Sequence, residues 1–290
     1  MVAIEYVGQE KKLSKVIQEK YKTLSYSNIQ KLLRKKDIKV NTKRVSSDIV
    51  VKSGDNIEIY ATPQMLEPKS PNLSVVYDDD NIIVVSKPLG IEVEGFGENI
   101  SLTTVVNNYL LEKEQKSAVA VHRIDRNTRG LVIFAKTKLA EEELLKAFKN
   151  HNIKKFYNAI VVGEMPKKQD TLIAYLWTDK QKAMSFVSSS PKPGYEKIIT
   201  KYKVLTYLEE DKTLVEVELV TGKTHQIRAH FAFIGHALVG DGKYGKNQVN
   251  KFYNQKTQAL LAKRIEFCFD KTSPLEYLNK KVIETNQNLI

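Results

Sequence analysis

Between Ala120 and Lys136 the sequence AVHRIDRNTRGLVIFAK sets a polar loop between two apolar runs. The loop carries His122, Arg123, Asp125, Arg126, Asn127, Thr128 and Arg129. Loops anchored on rigid strands are where reactive groups tend to sit. Flanking arginines favour the ionised form of a carboxylate, and an ionised carboxylate can act as a nucleophile. The same residues could also form a surface loop held by ordinary ion pairs, and the segment alone does not choose between these readings.

Other chemistries suggested by short motifs fail on their spacing. In the catalytic loop of protein kinases the Asp directly follows the Arg, whereas HRID inserts Ile124, and no DFG or Gly-rich loop accompanies it. Thr221 to Thr224, TGKT, resembles the end of a phosphate-binding loop, but Val217 stands where its first Gly is required. His225 and His230 are five apart and would not share a helix face as a zinc pair does, so no metal is expected.

The elements that must position these residues can be read from pattern. Short β-rich runs (SVVY, IIVVSK, GLVIFAK, KFYNAIVVG, IITKYKVLTY and TLVEVELV) alternate with turns, which predicts a largely antiparallel sheet. Helical patterns are interspersed: LTTVVNNYLLEKEQ after Ser101 as N-cap, KLAEEELLKAFKN, and THQIRAHFAFIG ending in Gly235. Strands outnumber helices without a regular βαβ period, so the expected class is α+β with a mixed, largely antiparallel sheet. Cys268, in the apolar alternation IEFCF, is expected to be a buried small hydrophobe.

Ahead of this region, Pro63, Pro68 and Pro71 fall in a polar run and place a linker at residues 62–72. Residues 1–61 read as a separate module. Leu13, Val16 and Ile17 form one helical stripe; Ile29, Leu32 and Leu33 form another, with Lys31, Arg34 and Lys35 on the opposite face. IKVN and NIEIY follow as short strands, with a turn at Ser53 to Asp55. The layout resembles an S4-type RNA-binding module, with those three basic residues as its RNA contacts, and residues 73–290 form the second domain.

The chain carries a net charge of +12, and residues 1–60 hold thirteen basic against seven acidic side chains. Such a field attracts polyanions, and structured RNA is the expected partner. No apolar run reaches the roughly 18 residues of a membrane span. With a single cysteine and no secretory leader pattern, the chain reads as cytoplasmic and monomeric.

Four segments in order, VVSKPLGIEVEG, VHRIDRNTRGLVIFAKT, KKFYNAIVVGE and TGKTHQIRAHFAFIGHALVGDGKYG, resemble the RluA-type family of RNA pseudouridine synthases. With the S4-like module the layout is similar to the branch acting on large-subunit ribosomal RNA. The resemblance implies that Asp125 is the nucleophile, Tyr157 packs beside the target uracil, Arg228 pairs with Asp125, and Ile227 is an apolar neighbour. It implies no cofactor, because breaking the N1 to C1′ bond, turning the uracil and joining C5 to C1′ involves no net redox change.

Further roles follow from position. An Arg to carboxylate pair is often bidentate, and one between Arg228 and Asp125 would orient the carboxylate. Arg123 is the candidate to fill the stacking gap left by the flipped base or to clamp its phosphate, and His122 to buttress the loop. Lys87, with Pro88 and Gly90, reads as scaffold with a phosphate contact, and GDGKYG, Gly240 to Gly245, as structural turns. Arg129 stands where the family usually has a small Ser, adding charge at the expected entrance, and Leu261 where relatives commonly carry His. The rival readings are a catalytically silent RNA-binding or chaperone protein, a tRNA-directed synthase, and a nucleotide hydrolase.

Overall fold

The structure is a computed structural model that describes residues 1–21, 24, 26–61, 73–95 and 100–289, so the linker expected at 62–72 lies outside the described residues. The chain divides into two compact units, Met1–Asn72 with Gly95–Ile100, and Leu73–Glu94 with Ser101–Ile290. Among the described residues no helix is long and apolar enough to cross a membrane.

The first unit contains β1 (Val2–Glu5), β2 (Lys11–Lys12), α1 (Leu13–Lys20), α2 (Tyr26–Arg34), β3 (Ile38–Val40), β4 (Lys43–Val45), β5 (Val50–Val51) and β6 (Asn56–Ile59). Its larger sheet runs β1-β6-β3-β4 and its smaller one pairs β2 with β5. The two helical stripes bury as patterned: Leu13, Val16 and Ile17 with Ile29, Leu32 and Leu33 enter one core with Ile38 and Ile57. Arg34 and Lys35 are exposed and Lys31 is half-buried.

The second unit begins with β7 (Ser74–Asp78), β8 (Ile82–Lys87), α3 (Leu102–Glu112), β9 (Val119–Ala120), β10 (Arg129–Ala135), α4 (Lys138–Lys149) and β11 (Ile153–Val162). It continues with β12 (Gln169–Asp179), β13 (Met184–Ser188), β14 (Glu196–Leu208), β15 (Lys212–Leu219), α5 (Gln226–Phe233), α6 (Asn247–Phe252), β16 (Leu260–Phe267) and β17 (Val282–Glu284). One sheet runs β13-β12-β14-β15-β11-β16-β10-β8-β7, with β9 on β10 and β17 on β16. It is mixed and mostly antiparallel, as expected from the sequence; β10 and β16 pair in parallel.

Local chemistry explains the helices around this sheet. Ser101 Oγ accepts the Thr104 N–H and Thr137 Oγ1 the Ala140 N–H, which satisfies an otherwise unpaired donor at the start of α3 and of α4. In α4, Ala140, Leu144 and Ala147 recur at four and three residues and bury against Leu131, Ile133 and Phe267 on one sheet face. On the other face α3 and α5 pack Leu102, Val106, Leu110, Ile227 and Phe231 onto Tyr157, Ala159, Val215 and Val217. The site is built on that face.

Cys268 corrects the sequence reading. It lies just beyond β16, between the buried Phe267 and Phe269, and is exposed. Strand alternation sends the residue between two inward rings outward, toward solvent.

Candidate active site

The Asp125 loop connects β9 to β10 and is tied down by backbone contacts. Asp125 C=O accepts the Thr128 N–H at 2.9 Å, closing a turn that presents the carboxylate. Gly90 and Arg126 clamp each other: the Gly90 N–H donates to Arg126 C=O at 3.0 Å, and Arg126 Nε donates to Gly90 C=O at 2.9 Å. His122 Nε2 accepts the Ile133 N–H at 3.0 Å, and burial pushes the imidazole down to about 3, so it is a neutral buttress.

Lys87 requires a correction. Its side chain is fully buried, and Nζ donates to the carbonyls of Pro88, Ile91 and Arg126 at 3.0, 2.8 and 2.9 Å. It cannot meet a phosphate without abandoning these bonds; it binds the KPLG turn to the Asp loop. Burial drives its pKa down to about 8, with the Asp125 charge opposing.

Arg228 lies in α5, a helix whose Gln226 to Phe231 residues are all buried. Its Nη1 donates to Asp125 Oδ2 at 2.8 Å. The two-pronged partner, however, is Asp241: Nε donates to Oδ2 at 2.7 Å and Nη2 to Oδ1 at 2.9 Å. Asp241 is fully buried, and its Oδ1 also accepts the N–H groups of Lys243 and Tyr244 at 2.9 and 3.0 Å. Burial works against both charges. The Asp241 and Asp125 carboxylates nevertheless raise the guanidinium above its usual range, and Arg228 with the two N–H donors holds Asp241 below the usual carboxylate range. The bidentate pair expected for Asp125 therefore belongs to Asp241, and Asp125 receives the one remaining prong.

Gly240, immediately before Asp241, has φ +77°, and a Cβ there would stand 2.2 Å from the Thr257 carbonyl oxygen. The GDGKYG turns thus place an ionic side chain as well as the backbone, which the sequence reading missed. A lone Asp in a Gly-rich turn signals only a turn until its partner in space is known.

Tyr157 is buried among Ile227, Val217 and Ala262. The register of β11 on β16 shifts between Phe156 and Tyr157, a bulge that re-aims side chains beside the site. Phe156 takes the opposite sheet face, under Arg264 at 3.7 Å. Burial first, and the Asp125 charge second, raise the Tyr157 phenol above its usual range, so it remains protonated.

His225 is a further residue the sequence reading did not assign. It precedes α5 in the left-handed region, φ +55°, a strained setting for a non-glycine residue. The Tyr244 hydroxyl oxygen accepts the Ser185 N–H at 2.7 Å and shares a hydrogen bond of 2.9 Å with His225 Nδ1. His225 Nε2 stands 3.9 Å from Asp125 Oδ2. Burial, opposed chiefly by Asp125, lowers the imidazole pKa and so favours the neutral ring.

These groups line a cleft of about 730 Å³ that includes Asp125, Tyr157, Arg123, His225, Lys155 and Lys223. A narrower recess joins Asp125 and Tyr157 to Ile227 and Arg228. Burial pushes the Lys155 amine down to about 8. Arg123 is exposed at the cleft wall. Arg129 requires the second correction. Its Nη2 donates to Asn288 C=O at 3.0 Å, and it lines a separate pocket with Leu89, Tyr253 and Gln258, because strand alternation turns it away from the side of its neighbour Thr128, which lines the Asp125 recess. Lys31, Arg34 and Lys35 belong to the other unit.

A carboxylate on a fixed guanidinium, an aromatic wall and a basic cleft make a site suited to a flat, uncharged base on an anionic backbone. Two solved human structures share the fold, RNA Pseudouridylate Synthase Domain Containing 4 and Domain Containing 1. Their TM-scores are 0.60 and 0.59 at 19% and 22% identity, covering 74% and 69% of this chain and 88% and 80% of theirs. The family model described as RNA pseudouridylate synthase matches residues 81–233. A protein of Mycoplasma capricolum described as an uncharacterized RNA pseudouridine synthase is 32% identical, covering 97% of this chain and 96% of its own. Ribosomal large subunit pseudouridine synthase C of Buchnera aphidicola is 28% identical over 98% and 97% of the two chains. This chain belongs to the RNA pseudouridylate synthase family, enzymes that isomerise uridine within RNA.

Proposed function

We propose that this synthase modifies uridines of large-subunit ribosomal RNA, with Asp125 as nucleophile and Arg228, Tyr157 and Ile227 completing the reacting site. The observation that carries the reading is the Arg228 to Asp125 bond of 2.8 Å at the cleft floor, on a guanidinium already fixed by Asp241. An ionised, oriented carboxylate is what the reaction needs, whether it meets the electron-poor C1′ or adds to C6 of the ring. The N1 to C1′ bond breaks, the uracil turns within the recess, C5 joins C1′, the bond to the Asp125 carboxylate is released, and C5 loses a proton while N1 gains one. Tyr157 supplies a wall for the turning ring, and His225 stands beside Asp125 at its polar edge.

Arg123, at the cleft wall, assists flipping of the target nucleotide. The first unit serves as an S4-like RNA-binding module in which Lys31, Arg34 and Lys35 meet phosphates. The names of relatives such as the Buchnera enzyme support the ribosomal target, and the net charge of +12 supports a cytoplasmic polyanion as partner. The test is to map pseudouridines in ribosomal and transfer RNA from cells lacking this protein, complemented with wild type or Asp125→Ala. Loss of large-subunit sites, restored only by wild type, is expected. Loss confined to transfer RNA refutes the ribosomal target, and full restoration by Asp125→Ala refutes the nucleophile.

A further inference from the structure

Trp177, the chain's single tryptophan, and Phe186 are 40% and 37% exposed. They are cross-strand partners on β12 and β13, with ring centroids 5.8 Å apart and planes at 26°. Tyr195, just before β14, stacks on the other side of Trp177 at 6.4 Å and 29°. Three nearly parallel rings therefore stand together on the surface, apart from the cores that hold the catalytic unit. Lone exposed apolar residues are ordinary, but a contiguous patch marks a binding surface.

The surroundings select the ligand. Residues 175–197 contain four lysines against two acids, Asp179 and Glu196, and both acids are engaged, with Lys182 at 3.9 Å and Lys223 at 2.7 Å. Lys192 lies 5.8 Å over the Tyr195 ring. Protein interfaces deplete lysine, whereas stacked rings with ammonium groups around them are the chemistry of single-stranded nucleic acid recognition. The patch is continuous with the cleft. Lys197 lines the cleft and pairs across strands with Tyr175, two residues from Trp177 on the same sheet face.

We infer that Trp177, Phe186 and Tyr195 form a stacking platform for unpaired bases of the RNA flanking the target uridine. The inference rests on RNA entering the cleft at Asp125. Bases stack without regard to sequence, so the platform contributes affinity and leaves base choice to the cleft.

Because Trp177 is the only tryptophan, its emission reports on the platform directly. The experiment titrates the full-length protein with a uridine 12-mer and with an abasic 12-mer of equal charge. Quenching by the uridine oligonucleotide and not by the abasic one is expected, with Phe186→Ala weakening the uridine affinity roughly 10-fold and leaving abasic binding unchanged. Trp177→Leu, followed by anisotropy of a labelled oligonucleotide, should show the same loss if Phe186→Ala does not fold. Absence of quenching, equal quenching by both oligonucleotides, or unaltered affinity in a folded variant overturns the platform. So does a concentration-dependent emission shift without RNA, which would assign the rings to self-association. Asp125→Ala should retain the quench, so a failure of the nucleophile assignment is read separately from a failure of this one.

Discussion

Arg228 is asked to serve two carboxylates, and their geometries differ. Asp241 takes two prongs of the guanidinium and is itself fixed by two backbone N–H groups, while Asp125 takes one prong and is a quarter exposed to the cleft. The buried pair fixes the position from which Arg228 holds the exposed carboxylate. Removing one partner of a buried ion pair is costly, about 3 kcal/mol or more, and small displacements of reacting groups can cost on the order of 100-fold in rate. Asp241→Asn is therefore expected to lower stability by about 3 kcal/mol and kcat by on the order of 100-fold with KM little changed. Thermal unfolding and steady-state kinetics check it; wild-type kcat in a folded variant would show that Asp241 positions nothing. The juxtaposition of Asp125, Tyr157 and Arg228 could be anticipated from the linear motifs. The Asp241 anchor and the placing of His225 beside Asp125 could not, since each depends on contacts between residues far apart in sequence. Lys87 misled for another reason: a lysine in a Pro-Gly turn is ordinarily solvent-facing, and only three converging carbonyls make its burial tolerable.

At the scale of elements, the site depends on how closely β10 approaches β16. Gly130 follows the Asp loop with φ +111°, and a Cβ would fall 2.2 Å from the Ala262 carbonyl oxygen. That atom is backbone and cannot step aside, so Gly130→Ala must part the parallel pairing of Arg129 with Leu261 and Gly130 with Ala262. A loss of about 3 kcal/mol, or roughly 6 to 12 °C in Tm, is expected by calorimetry; an unchanged Tm would mean that the approach is not required. Apolar alternation made most of this sheet legible, including β7, β8, β10, β11, β14 and β15. β12 and β13 escaped because QDTLIAYLWTD and MSFVS mix polar residues with rings that face solvent, the feature that makes them a binding surface. Yet β13 holds Ser185, whose N–H donates to the Tyr244 hydroxyl and whose Oγ donates to Thr224 C=O at 2.7 Å beside His225.

At the scale of the whole molecule, charge is distributed over both units, and residues 1–60 carry thirteen of the basic side chains against seven acidic ones. If the exposed Arg34 and Lys35 of α2 meet phosphates, each contact releases counterions on binding. The full-length Arg34→Gln, Lys35→Gln double variant should then reduce the slope of log affinity against log salt by about 2. An unchanged slope would remove those residues from the RNA contacts. The central claim concerns Asp125, and one measurement reaches it directly: release of tritium from RNA labelled at uracil C5, which isomerisation must discharge when C5 joins C1′. The account expects release by the wild-type protein and none by an Asp125→Ala variant that still binds the RNA; release by that variant at the wild-type rate would contradict it.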